Sequence, residues 1–121
     1  MKVEFLIYPN SKIATYFQDK YEYSSSNKKY DKQYLRIEQR IEEAENYDEL
    51  VKMLEIKLLD HVTGLKEIKL DQLRVIHCIY DGDTIVLLGT FIKKTQKTPQ
   101  KVINKNNQRI KDFNEMKQGA K

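Results

Sequence analysis

Residues 73–99 read LRVIHCIYDGDTIVLLGTFIKKTQKTP, and they decide the fold. Leu73 to Tyr80 is apolar, β-branched and aromatic. Asp81-Gly82 follows, a pair that tolerates the positive φ angles of a tight hairpin turn. Thr84 to Phe91 is a second apolar run, rich enough for a central strand covered on both faces. The chain then leaves the sheet as Lys93-Lys94-Thr95-Gln96-Lys97-Thr98, a loop with three cations. Pro99 pre-sets φ for the first turn of a helix. A hydrophobic hairpin that delivers fixed cations to its rim suits a phosphate chain.

Strand alternation sorts the first run into two faces. Leu73, Val75, His77 and Ile79 share one face, and Arg74, Ile76, Cys78 and Tyr80 share the other. Arg74 therefore sits among residues that bury, where an unpaired charge is costly. It calls for a salt bridge, with Glu67 or Asp71, or for a bidentate phosphate ligand. His77 reads as a core histidine hydrogen-bonded to backbone. His61 lies before the Gly64 break, where a rim position would suit acid–base work near neutrality. Tyr80 packs in the core or stacks on a base.

Working outward, Gly64 breaks the pattern and Leu65 to Leu70 reads as a strand that turns near Asp71 into the hairpin. Residues 56–63 are open to either a helix extension or a strand. Upstream, Asp48 is the expected cap of a short helix with Leu50, Val51 and Leu54 inward. Asp31 is the expected cap of a long helix to about Asn46, buried through Tyr34, Ile37, Ile41 and Ala44. Ser24 to Asn27 is a polar loop. Ser11 is the expected cap of a first helix carrying Ile13, Ala14 and Phe17, and Lys2 to Tyr8 is a first strand ending at Pro9-Asn10. After the hairpin, a helix from about Pro99 to Lys117 shows an apolar stripe of Val102, Ile103, Ile110 and Phe113. The polar run from Asn104 to Gln108 interrupts that stripe. The order is strand, two or three helices, three strands, helix. It predicts one α+β domain over residues 1–121, a largely antiparallel sheet with helices on one face.

The 121 residues suffice for one core, and their 40% apolar content fits a small, well-solvated domain. No apolar run nears the ~18 residues of a membrane span, so no membrane partner is expected. The short apolar stretch in MKVEFLIYP reads as a strand and not a signal peptide. A lone Cys78 makes neither an internal disulfide nor a cysteine metal site, and it fits a reduced, cytoplasmic setting. Neither a metal-ligand motif nor a glycine-rich phosphate cradle is present, so no cofactor is expected. Net charge is +4. From Lys93 onward, eight Lys and Arg109 stand against Asp112 and Glu115, a net of +7, which leaves −3 for the first 92 residues. That asymmetry fits a polyanion on one side of the molecule, or a solvated lysine-rich helix.

The segment from Gly64 to Phe113 resembles the RelE/ParE toxin superfamily, in particular its HigB-like, phage-derived branch. Three blocks carry the resemblance. Gly64-Leu65-Lys66-Glu67-Ile68-Lys69 is similar to a Gly-Leu-x-Glu-Leu-Arg strand. Arg74 to Ile79 is similar to an Arg-Val-x-x-x-Tyr core, with the aromatic displaced to Tyr80. Phe91 to Pro99 is similar to a Phe-hydrophobic-Lys-Lys-Thr-x-Lys-Thr-Pro signature. The resemblance implies N-terminal helices on one sheet face, a concave catalytic surface on the other and a C-terminal helix. It implies a ribosome-dependent mRNA interferase in which a ribose 2′-hydroxyl attacks the adjacent phosphate without a metal. The partner implied is a cognate antitoxin, HigA-like and DNA-binding through a helix-turn-helix. By position, Arg74 is implied at the scissile phosphate, Lys69 as base or charge stabiliser, and Lys94 in the basic loop. Lys66, Lys93, Lys97, Tyr80 and His61 are the implied RNA contacts. Glu67 stands where some relatives have lysine, and the C-terminal helix lacks the tyrosine that some place there. The general acid is therefore His61, Tyr80 or a ribosomal group. The superfamily also holds gyrase-poisoning members on the same fold, which is the alternative activity.

Overall fold

The computed structural model describes residues 1–24 and 27–119. Of the expected polar loop, Ser25 and Ser26 lie outside the described residues. The element order is β1 (Lys2–Phe5), α1 (Thr15–Ser24), α2 (Lys28–Glu43), α3 (Tyr47–Met53), β2 (Glu55–Asp60), β3 (Leu65–Leu70), β4 (Leu73–Tyr80), β5 (Thr84–Ile92) and α4 (Gln100–Gly119). The strands form one sheet in the order β1-β5-β4-β3-β2. β2 to β5 form an antiparallel meander, and β1 joins β5 in parallel. This is an α+β fold.

The hairpin forms as its sequence demands. Asp81 and Gly82 hold φ of 54° and 77°, and Tyr80 pairs with Thr84 across the turn. Asp71, at φ 53°, makes the β3–β4 turn. Every residue of β5 but the last is buried, because the sheet is covered on both faces. Tyr16, Tyr34, Ile37, Ile41 and Leu50 from α1–α3 pack on Ile68, Val75, Ile85 and Leu87. Ile110 and Phe113 of α4 pack on Leu65, Ile76, Val86, Leu88 and Phe91 of the opposite face. Helices thus lie on both faces, not one.

Residues 55–60, in the stretch that the sequence leaves open between helix and strand, form strand β2, an edge strand whose Leu58 is half exposed. Several other local expectations are corrected. β1 stops at Phe5, short of Tyr8. The Ser11 hydroxyl accepts from the Ile13 amide in the preceding loop, and α1 begins only at Thr15. Asn27 caps α2 by accepting from the Lys29 amide, so Asp31 falls in the first turn. Asn46 caps α3 by accepting from the Glu49 amide, which places Asp48 inside the helix. Val51 is half exposed while Leu50 is buried.

The short β1 leaves β5 with a bare edge beyond Leu87, and bare edges need cover. Here α1 supplies it with side chains. Thr15 Oγ1 donates to the Leu88 carbonyl, and the Thr90 amide donates to Asp19 Oδ2 at 3.2 Å. Arg109 reaches in from α4, donating to the Leu88 carbonyl at 3.0 Å and to Asp19 Oδ2 at 2.8 Å. A register shift between Ile76 and His77 sets Leu88 out as a bulge at this point. Arg109 and its helical neighbour Asn106 are both buried, so one residue of the polar run that interrupts the α4 stripe, Asn106, belongs to the core, while Asn104, Lys105 and Gln108 stay exposed.

Candidate active site

α4 covers only part of its sheet face. Towards the β3–β4 turn the same face is left to charged residues. Antiparallel register places Lys69 opposite Arg74, Glu67 opposite Ile76, Lys57 opposite Glu67 and Glu55 opposite Lys69. Opposed residues in such a ladder share a face, so Glu55, Lys57, Glu67, Lys69 and Arg74 form one charged group.

Arg74 is nearly buried, with 6% of its surface exposed. Its Nη1 donates to the carbonyls of Asp71 at 2.6 Å and Leu73 at 2.9 Å. Its Nε lies 3.6 Å from Glu67 Oε2, too long for a hydrogen bond. Both Nε and Oε2 are buried without a hydrogen-bond partner. Glu67, fully buried, is held at its other oxygen by the Thr98 hydroxyl, which donates at 2.6 Å. That bond pins the end of the 93–99 loop to β3. The start of the loop is pinned by the Lys93 amide, which donates to the Gln72 carbonyl at 2.7 Å. Between the two anchors lies an open groove of about 320 Å³, lined by Asp71, Gln72, Arg74, Lys93, Lys94, Thr95 and Gln96.

The electrostatics of this corner are strained towards positive. The Lys93 ammonium is held below the usual lysine range, first by lost hydration and then by the Arg74, Lys57 and Lys69 cations, with Glu67 opposing. Lys69 pairs with the exposed Glu55 at 3.4 Å. Such a corner gains from an anion, since phosphate oxygens relieve cation–cation repulsion and accept from the guanidinium. Among the described residues, no group of three or more His, Cys, Asp or Glu side chains is placed to hold a metal ion.

The matched segment spans this corner. Residues 24–111 match the family described as Phage derived protein Gp49-like (DUF891). The chain belongs to the Gp49-like family. That family falls in the RelE/ParE-like toxin group. No curated protein matches the chain. All the cations of the corner lie inside the Gp49-like match, whereas β1 and nearly all of α1 lie outside it.

The residues singled out in the sequence separate into two sets. Arg74, Lys69, Lys93 and Lys94 come together, and Lys97 is exposed in the same loop. Lys66 does not join them: it lies on the opposite sheet face, its ammonium 4.9 Å from the centre of the Tyr47 ring. Tyr80 sits six residues along β4 from Arg74, about 20 Å away, edge-on to Phe113 of α4. His61 is exposed in the β2–β3 turn, at the far end of β3 from Lys69. His77 is a core histidine, its Nε2 2.8 Å from the Tyr47 hydroxyl and its ring also in contact with the Val75 backbone. Burial drives its pKa down to about 3, so the ring is neutral. Cys78 is buried, its thiol pushed up to about 11 by burial. Neither fits acid–base or nucleophilic work.

Two participants escaped sequence reading. Lys57 joins the corner only because residues 55–60 are a strand, and alternation of Glu55, Lys57 and Leu59 was the available signal. Thr98 was read as loop, and its bond to Glu67, 31 residues away, leaves no local trace.

Proposed function

We propose that this Gp49-like protein is a HigB-like toxin that cleaves mRNA on the ribosome, with its site in the Arg74 groove. The observation that carries the reading is that Arg74, Lys93 and Lys94 line one open groove, with Lys57 and Lys69 near enough to help hold Lys93 below the usual lysine range. In this reading Arg74 and the loop lysines neutralise the scissile phosphate as charge builds on its oxygens. The ribose 2′-oxygen attacks phosphorus and the P–O5′ bond breaks, leaving a 2′,3′-cyclic phosphate and a 5′-hydroxyl. Lys69 assists removal of the 2′-proton or stabilises the charge. The 5′-oxygen takes its proton from a ribosomal group, since His61 and Tyr80 lie at the far end of the sheet. A cognate antitoxin with a helix-turn-helix keeps such a toxin silent in the cytoplasm.

The test is 5′-end mapping of transcripts after brief induction of the wild type and of Arg74→Ala. Cleavage at in-frame codon positions, present only with the wild type, is the expected outcome. Growth arrest with intact transcripts would reject the nuclease reading and direct attention to DNA gyrase.

A further inference from the structure

α2 is charged against its own dipole. A helix carries partial positive charge at its N-terminus and negative at its C-terminus, so acids belong early and bases late. Residues 28–36 hold Lys28, Lys29, Lys32 and Arg36 against Asp31, a net of +3. Residues 37–43 hold Arg40 against Glu38, Glu42 and Glu43, a net of −2. The order is reversed, which places Lys28 and Lys29 in the first turn, against the positive end of the dipole. Two of the three acids are paired: Glu38 takes Lys20 at 2.9 Å, and Glu43 takes Arg40 at 3.1 Å. Among the described residues, none of the four early cations has a carboxylate within salt-bridge distance. The only acid in their groove, Asp71, is engaged by the Gln33 amide at 3.0 Å.

These four cations line a broad, open groove of about 580 Å³ that runs from α2 to the β3–β4 turn. Its wall residue Asp71 also lines the Arg74 groove. The two basic grooves therefore meet at one turn, on either side of a single residue. The second groove contains one apolar lining residue, Leu70, whereas protein interfaces centre on buried aromatic and aliphatic anchors. A flexible, evenly charged strand fits it better than a folded partner.

We propose that the α2 groove is a second RNA-backbone site, which holds the strand as it leaves the Arg74 groove over the β3–β4 turn. This rests on the reading that the Arg74 groove takes RNA. The site grips phosphates without reading bases, and its contribution depends on salt because each neutralised phosphate releases counterions.

The test uses the full chain and a labelled oligouridine of about 12 nucleotides, titrated at salt from about 50 to about 200 mM. Three variants are compared with the wild type. One changes Lys28, Lys29, Lys32 and Arg36 to Gln. A second, matched in charge, changes the exposed Lys2, Lys12, Lys52 and Lys111 to Gln. A third carries Arg74→Gln and Lys93→Gln. The first should lower the slope of log K against log salt by about 3, at about 0.7 per phosphate, while the second leaves it nearly unchanged. Thermal unfolding of the first variant should stay level or move upward, since it relieves the reversed dipole; a fall would mark the cations as structural and overturn the proposal. An unchanged slope, or an equal fall in the matched control, would also overturn it. So would unchanged RNA binding with lost affinity for a polyglutamate peptide, which would assign the groove to an acidic protein segment. The third variant separates the two claims. If it weakens binding while the first does not, only the α2 site fails; if neither weakens it, the Arg74 groove fails as an RNA site too.

Discussion

Two arginines are buried against carboxylates in this protein, and their surroundings differ. Arg109 meets Asp19 at 2.8 Å, and the pair also serves the Leu88 carbonyl, the Thr90 amide and Asn106. No atom of that cluster is orphaned. Arg74 meets Glu67 at 3.6 Å, and one atom on each side of the gap has no hydrogen-bond partner. The first pair closes a sheet edge and is complete. The second lies beside an open groove and is incomplete, a state that costs stability unless a ligand finishes it. A buried charge alone does not mark a site; a buried charge left short of partners beside an opening does.

The comparison breaks most visibly at the first pair. Arg109→Gln or Asp19→Asn should each cost about 3–5 kcal/mol, because a buried charge loses its partner. Urea unfolding at neutral pH measures this, and the coupling from the double variant should be about 2–3 kcal/mol. The matching cycle at Arg74 and Glu67 should give about 1 kcal/mol or less. Equal coupling at both sites would erase the distinction.

Gly89 sharpens the same contrast. A Cβ there would run into Arg109 Nη1 and come within 2.6 Å of Asp19 Oδ2 and 2.8 Å of Asn106 Oδ1. Gly89→Ala should therefore cost about 1–3 kcal/mol through overpacking. A neutral effect in urea unfolding would show the Asp19 cluster to be as adjustable as the Arg74 corner.

The fold was legible where chemistry is local. Asp81-Gly82 forces a turn, and the Tyr34, Ile37, Ile41 stripe can bury only one way. Strand β2 was not legible because Leu58 and Leu59 are adjacent apolar residues, which blurs alternation, and because an edge strand exposes one of them. The caps slipped because Asn27 and Asn46 compete with nearby Asp31 and Asp48, and the asparagines lie one residue before the first helical residue in each case. The Arg74–Glu67 pair was legible because strand alternation makes a mid-strand arginine anomalous. The Asp19–Arg109 pair spans 90 residues, and on their own helices both read as ordinary surface charges.

A smaller effect separates the two sheet faces by pH. His77 has a folded pKa of about 3 against an ordinary 6.5, so the unfolded chain binds its proton first. Its contribution to stability is complete above about 6.5 and declines as pH falls towards 3, amounting to about 2 kcal/mol by pH 5. His77→Gln should flatten the acid limb of the urea midpoint against pH by that much. An unaltered limb would mean that His77 titrates normally. The smallest change is Thr98→Val, which frees the second Glu67 oxygen and should cost about 1 kcal/mol, read as a lower urea midpoint with the Asp19–Arg109 coupling unchanged.

Arg74 is proposed to serve the cleavage chemistry, whereas Arg109 holds the fold together through Asp19 and the Leu88 carbonyl. The most direct measurement is cleavage of ribosome-bound mRNA by Arg74→Gln and Arg109→Lys, each corrected for its folded fraction. Arg74→Gln should stay folded and lose at least about 100-fold in cleavage rate, while Arg109→Lys should cleave at the wild-type rate per folded molecule. Wild-type cleavage by a folded Arg74→Gln would contradict the account.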